Sequence, residues 1–165
     1  MEKSSPGIFK PALISGLLFG FLGGAPFVGL LNCACCSLIL GSGFVAAFLH
    51  SRDCRSLGLG FDAMAGLKVG LLAGLFYALG DTLTSTITGL LFHETTTKWV
   101  LEILEEIPEI PQELLDQIGY GLERGVVPTM MRDLITYLGF GIIFATIGGL
   151  IGGAVFKSEP ASTSS

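Results

Sequence analysis

Glycine recurs every fourth residue inside long apolar stretches of this chain. Gly16, Gly20 and Gly24 form one stripe, and Gly66, Gly70 and Gly74 form a second. A third runs through Gly141, Ala145, Gly149 and Gly153 with Gly148 and Gly152 alongside, and Ser37, Gly41, Ser42 and Ala46 echo it more weakly. Residues four apart share a helix face, so each stripe is a groove without side chains into which another helix backbone fits. In a water-soluble helix each interior glycine costs roughly 1 kcal/mol against alanine. In a bilayer such stripes are ordinary packing surfaces. The spacing therefore predicts an all-α, integral membrane fold, a four-helix bundle.

Charge supports that class. Only 14% of the residues are charged and 50% are hydrophobic, against about 25% charged in ordinary soluble domains. From Pro11 to Leu49 the chain carries no acidic or basic residue. That stretch is about twice what one membrane helix needs at about 1.5 Å per residue, so it must turn back. Gly23-Gly24-Ala25-Pro26 and the residues Gly29 to Asn32 supply the break. The predicted spans are 8–25, 33–50, 66–92 and 129–156, in one membrane domain of residues 1–157 followed by a disordered tail, 158–165. A signal peptide cleaved after Ala25 is disfavoured by Pro26, and a lipoprotein site at Cys33 by Asn32 before it.

Eight carboxylates lie between Glu94 and Glu123. Within them Trp99, Val100, Ile103, Leu104 and Ile107 recur at helical spacing opposite Glu102, Glu105, Glu106 and Glu109, which predicts an extramembrane amphipathic insertion over 97–125. Pro108 and Pro111 end its first helix and Leu114, Leu115, Ile118 and Leu122 line a second. Lys3, Lys10, Arg52, Arg55 and Lys157 would share one side of a four-span protein. By the positive-inside rule that side is cytoplasmic, with both termini, and the acidic segment 94–123 is external. No basic patch points to nucleic acid. The expected partners are the lipid bilayer and either further copies of the chain or other membrane subunits.

Asp81 is the ionisable residue that the third span cannot keep out of the bilayer. It lies 13 residues beyond Lys68, about 20 Å along a helix. Lys68 can snorkel to the interface, but a carboxylate at depth costs on the order of 2.5 to 3.5 kcal/mol and calls for a partner or a role. Tyr77, Asp81, Thr84, Ser85 and Thr88 continue the face begun by Gly70 and Gly74. Arg132, near the start of the fourth span, is the expected counter-ion, and Asn32, Thr84 and Ser85 the expected polar lining. Cys33, Cys35 and Cys36 cluster at the start of the second span, with Cys33 and Cys36 on one helical face, as candidate soft-metal ligands or disulfide partners. Cys54 lies beyond an 18-residue helix about 27 Å long, which keeps it out of that cluster. No cofactor is implied. No nucleophile-base or carboxylate pair converges in the linear sequence, so no enzyme is expected.

At Gly16 to Gly24, Pro26, Asn32-Cys33-Ala34-Cys35-Cys36, Gly41-Ser42-Gly43 and Ala46-Ala47, the chain resembles a group of small, glycine-rich, multi-pass prokaryotic membrane proteins. The resemblance covers the first third, with a looser match in the third span, and implies topology without an activity. Together these features predict a structural or accessory subunit that associates through its glycine stripes. The alternatives are a small ion, proton or solute transporter using Asp81 and, more weakly, a thiol or metal site at Cys33, Cys35 and Cys36.

Overall fold

The computed structural model describes residues 6–25, 36–105 and 126–160, and their side chains except those of 92–105, 126, 127 and 129. Over these residues the chain is all-α. Four helices follow one another: α1 (Phe9–Gly23), α2 (Ser37–Ser56), α3 (Ala63–Glu105) and α4 (Val126–Val155). Two stretches are long and apolar enough to cross a membrane, Ala63–Leu91 in α3 and Met130–Val155 in α4. α1 is apolar but has only 15 residues, about 22 Å.

The glycine stripes decide how the helices meet. A β-carbon on Gly66 would strike Gly149 and Gly153, one on Gly70 would strike Ala145 and Gly149, and one on Gly74 would strike Gly141. α3 and α4 are thus antiparallel and in backbone contact over three turns. Gly16 lies against Ala73 and Phe76, Gly20 against Tyr77 and Gly80, and Gly24 against Thr84, so α1 runs parallel to α3 on another face. α2 runs parallel to α4, with Gly43 on Ala145, Gly148 on Leu40, and Gly152 on Ala47 and Phe44. Among the described residues α1 touches α2 and α3 but not α4. Close approach of this kind multiplies dispersion contacts between backbones, the main attraction available to helices surrounded by other apolar matter.

Large apolar side chains point the other way. Leu71, Leu75, Leu79, Leu83 and Ile87 make an exposed stripe along α3, and Met131, Ile135, Ile143, Ile147 and Ile151 are exposed on α4. The buried positions of α3 are small or polar instead: Val69, Ala73, Tyr77, Ala78, Asp81 and Thr82. This inverts the pattern of a water-soluble helix, whose large apolar residues face the core.

Three segments differ from the sequence expectation. α2 does not stop at His50 but continues through the predicted polar connector, Ser51 to Ser56. That segment contains neither glycine nor proline, and the Ser51 and Ser56 hydroxyls donate back to the Phe48 and Asp53 carbonyls at 2.7 and 2.8 Å. The turn comes later, at Gly58, whose φ of 66° is a left-handed conformation that favours glycine. α3 likewise runs without a break through the predicted end of the third span into the acidic segment, to Glu105. At 43 residues it is about 64 Å long, so residues 97–105 extend the span helix rather than starting a separate one. The rest of the insertion, from 106, lies outside the described residues. Finally, the segment after Lys157 is not free at its start, because Phe61 and Ser158 exchange two backbone hydrogen bonds of 2.9 Å. The Arg55 guanidinium adds a bond to the Phe156 carbonyl at 3.2 Å.

Candidate functional site

Asp81 is completely buried. Its position follows from the glycines around it: Gly80 lies against Leu17 and Gly20, and Gly20, Gly23 and Gly24 bring the end of α1 onto Tyr77 and Asp81. A β-carbon on Gly23 would strike both the Tyr77 hydroxyl and Asp81 Oδ1. The Tyr77 hydroxyl, one turn before on the same face, donates to Asp81 Oδ1 at 3.3 Å. Asp81 Oδ2 has no hydrogen-bond partner among the described residues. A buried carboxyl with one oxygen unsatisfied is costly to the fold, and groups placed so are commonly functional.

The rest of the polar face looks inward only in part. Ser85 lies close enough to act on the Asp81 carboxyl. Thr84 and Thr86 instead spend their hydroxyls on the Gly80 and Thr82 carbonyls of their own helix, at 3.0 and 2.7 Å. Thr82 Oγ1 is buried with no partner among the described residues.

Arg132 does not serve as the counter-ion. It is exposed, and no salt bridge joins it to Asp81 among the described residues. The residue next to it, Asp133, is half-buried and acts electrostatically on Asp81. Successive helix residues differ by about 100° in direction, so one step exchanges an exposed cation for a half-buried carboxyl. Sequence reasoning missed Asp133. The available signal was a mirrored spacing: Tyr77 and Asp81 are four apart, and so, in reverse order, are Asp133 and Tyr137. Tyr137 packs against the buried cluster of Ile39, Tyr77 and Ala145.

Asn32, Cys33 and Cys35 lie outside the described residues. Cys36 is half-buried beside Tyr77 and Ile39, with φ 52° and ψ 34°. This left-handed conformation costs a non-glycine residue about 1 to 2 kcal/mol. It also puts Cys36 just ahead of α2; the helical face expected to be shared by Cys33 and Cys36 falls partly outside the described residues. Among the described residues no group of three metal-ligating side chains occurs.

A second polar cluster lies near the other end of α2. His50, the last residue of the predicted second span, is buried, edge-on to the Phe61 ring with centroids 5.7 Å apart. Its Nε2 is 3.8 Å from Cys54 Sγ. Burial, and after it the Asp53 carboxylate, push the Cys54 thiol up from its ordinary value, which keeps it protonated and a poor nucleophile.

No protein family, curated protein or solved structure matches this chain. Its function has to be argued from the site alone.

Proposed function

We propose that the protein is a four-span membrane protein whose working group is the Asp81 carboxyl, and that it binds and passes a proton or small cation. The observation that carries this reading is a fully buried carboxyl with one oxygen unpartnered among the described residues and no cation beside it there. A carboxyl kept only for structure would have both oxygens satisfied, whereas the Tyr77 hydroxyl reaches only Oδ1. Membrane residence is supported by the inverted faces of α3 and α4, because exposed leucine and isoleucine stripes of this length would aggregate in water. The orientation with both termini cytoplasmic, and the acidic segment external, is supported by Lys157 lying next to the Arg55 contact, which gathers basic residues at one end of the bundle.

Stripe-mediated association with other subunits is the less favoured reading. The three main stripes are already covered by helices of the same chain, so further copies would have to attach by other faces. The deciding experiment is reconstitution of the purified full-length chain into liposomes with an internal pH-sensitive dye and imposed sodium or proton gradients. Wild type is expected to dissipate a gradient and Asp81→Asn to abolish this while remaining monodisperse. Equal flux in both proteins would discard the reading.

A further inference from the structure

What α4 carries opposite Asp81 decides what the site can take. The antiparallel register of α3 and α4 pairs Gly66 with Gly149 and Gly153, Gly70 with Ala145 and Gly149, and Gly74 with Gly141. One turn further along α3, and one turn back along α4, Tyr77 comes level with Tyr137. The next turn brings Asp81 level with Asp133. One contact independent of that extrapolation agrees with it: Tyr137 packs on the cluster containing Tyr77. Asp133 is also near enough to act on Asp81 electrostatically. The mirrored order Tyr77…Asp81 and Asp133…Tyr137 is what antiparallel helices need for like to face like.

Building on the reading of Asp81 as the working group, we propose that Asp81 and Asp133 form one two-carboxyl site that binds a small monovalent cation, sodium or lithium, in exchange for a proton. The groups around it are oxygen-rich, and among the described residues none is a facing cation. α3 offers Tyr77 and Ser85, α4 offers Asp133 and Tyr137, and α2 has Cys36 ahead of its first turn. Arg132 is exposed and acts on Asp133 from the side. α1 has its one titratable group, Lys10, at the opposite end and brings only its Gly20–Gly24 end to the site, where carbonyls carry the negative pole of the helix dipole. Hard oxygen donors of this kind suit alkali cations rather than soft metals. Two carboxyls in apolar surroundings do not both ionise unless a cation joins them, so the empty pair holds one proton between them. Replacing that proton by one monovalent ion leaves the net charge of the site unchanged. A divalent ion would call for a larger ligand set, and no group of three such side chains occurs among the described residues.

The test uses dicyclohexylcarbodiimide, an apolar reagent that modifies protonated carboxyls, on the full-length protein in detergent, with the adduct located by mass spectrometry. Label is expected on Asp81 or Asp133, falling as pH rises. Sodium chloride, set against choline chloride at equal ionic strength, is expected to slow labelling about tenfold at ten times its dissociation constant. Asp133→Asn should still label at Asp81 but lose sodium protection, and Asp133→Glu should restore it at a shifted sodium concentration. Undiminished sodium protection in a folded Asp133→Asn protein would overturn the pairing. So would the absence of sodium and lithium protection in wild type. If Asp133→Asn does not fold, Asp133→Glu decides, because an unshifted protection curve also overturns the proposal. The two readings fail separately: loss of flux in Asp81→Asn with normal protection in Asp133→Asn rejects only the pair, whereas wild-type flux in Asp81→Asn rejects the working role of Asp81 itself.

Discussion

The interface between α3 and α4 changes character partway along. In the half nearer Gly66, three glycines of α3 meet Gly141, Ala145, Gly149 and Gly153 almost backbone to backbone, with only the Ala145 methyl group between. In the half beyond Gly74 the α3 face carries the buried Tyr77 and Asp81, and α4 brings the half-buried Tyr137 and Asp133 near them. One half spends its small residues on contact and the other uses the registered helices to hold polar groups in place. The difference teaches that the glycines are not only adhesive: by fixing the register of α3 against α4 they determine which side chains face Asp81. Polar sites need this support, since groups held on loosely packed elements lose their geometry.

Substitutions can break that division in either half, and the largest effect is expected in the glycine half. Gly74→Val puts branched carbon onto the Gly141 carbonyl, a backbone atom that cannot move aside. The destabilisation should reach or exceed the upper end of the usual overpacking range of about 1 to 3 kcal/mol, read as lost monodispersity or a lower thermal midpoint in detergent. Gly89→Ala is the control. A β-carbon there meets nothing within 4 Å, so stability should be unchanged or rise by up to about 1 kcal/mol through helix propensity.

In the polar half the order of effects reverses, with function expected to fall before stability. Asp81→Asn should abolish flux while the thermal midpoint stays level or rises, because the amide keeps the shape and removes a chargeable group from a buried site. A fall in stability as large as that of Gly74→Val would make Asp81 structural and erase the contrast. Tyr77→Phe removes the hydroxyl that donates to Asp81 Oδ1 at 3.3 Å. Its expected cost is about 1 kcal/mol, together with altered sodium protection of the carboxyl in the carbodiimide assay. The smallest effect belongs to Arg132→Gln: the side chain is exposed, so stability should change by no more than about 0.5 kcal/mol. A large loss of stability or flux would reinstate Arg132 as the counter-ion.

Much of the site was legible in the linear sequence on the α3 side. Gly70, Gly74, Tyr77, Asp81 and Ser85 fall on one face by helical spacing alone, and that face is the buried one. The outward leucines at 71, 75, 79 and 83 follow from the same period. Helix ends were less legible. Polar composition suggested that α2 stops at His50 and that the third span stops at Phe92, but composition marks where a helix leaves an apolar layer rather than where it ends. Ser51 to Ser56 hold no breaker, and α2 persists to the turn at Gly58.

By itself, then, the sequence determined which faces of the helices are small, which are greasy and which are polar, because those are consequences of about 3.6 residues per turn acting on the chain's own order. Only the tertiary structure decided which face meets which. The glycine stripes were legible as grooves, but their occupants, helices of the same chain, depend on connectivity and on antiparallel register. The choice between Arg132 and Asp133 is of the same kind. The two are neighbours in sequence and about 100° apart around α4, and in the register that the contact of Gly74 with Gly141 marks, the arginine is exposed and the carboxyl half-buried, near enough to act on Asp81.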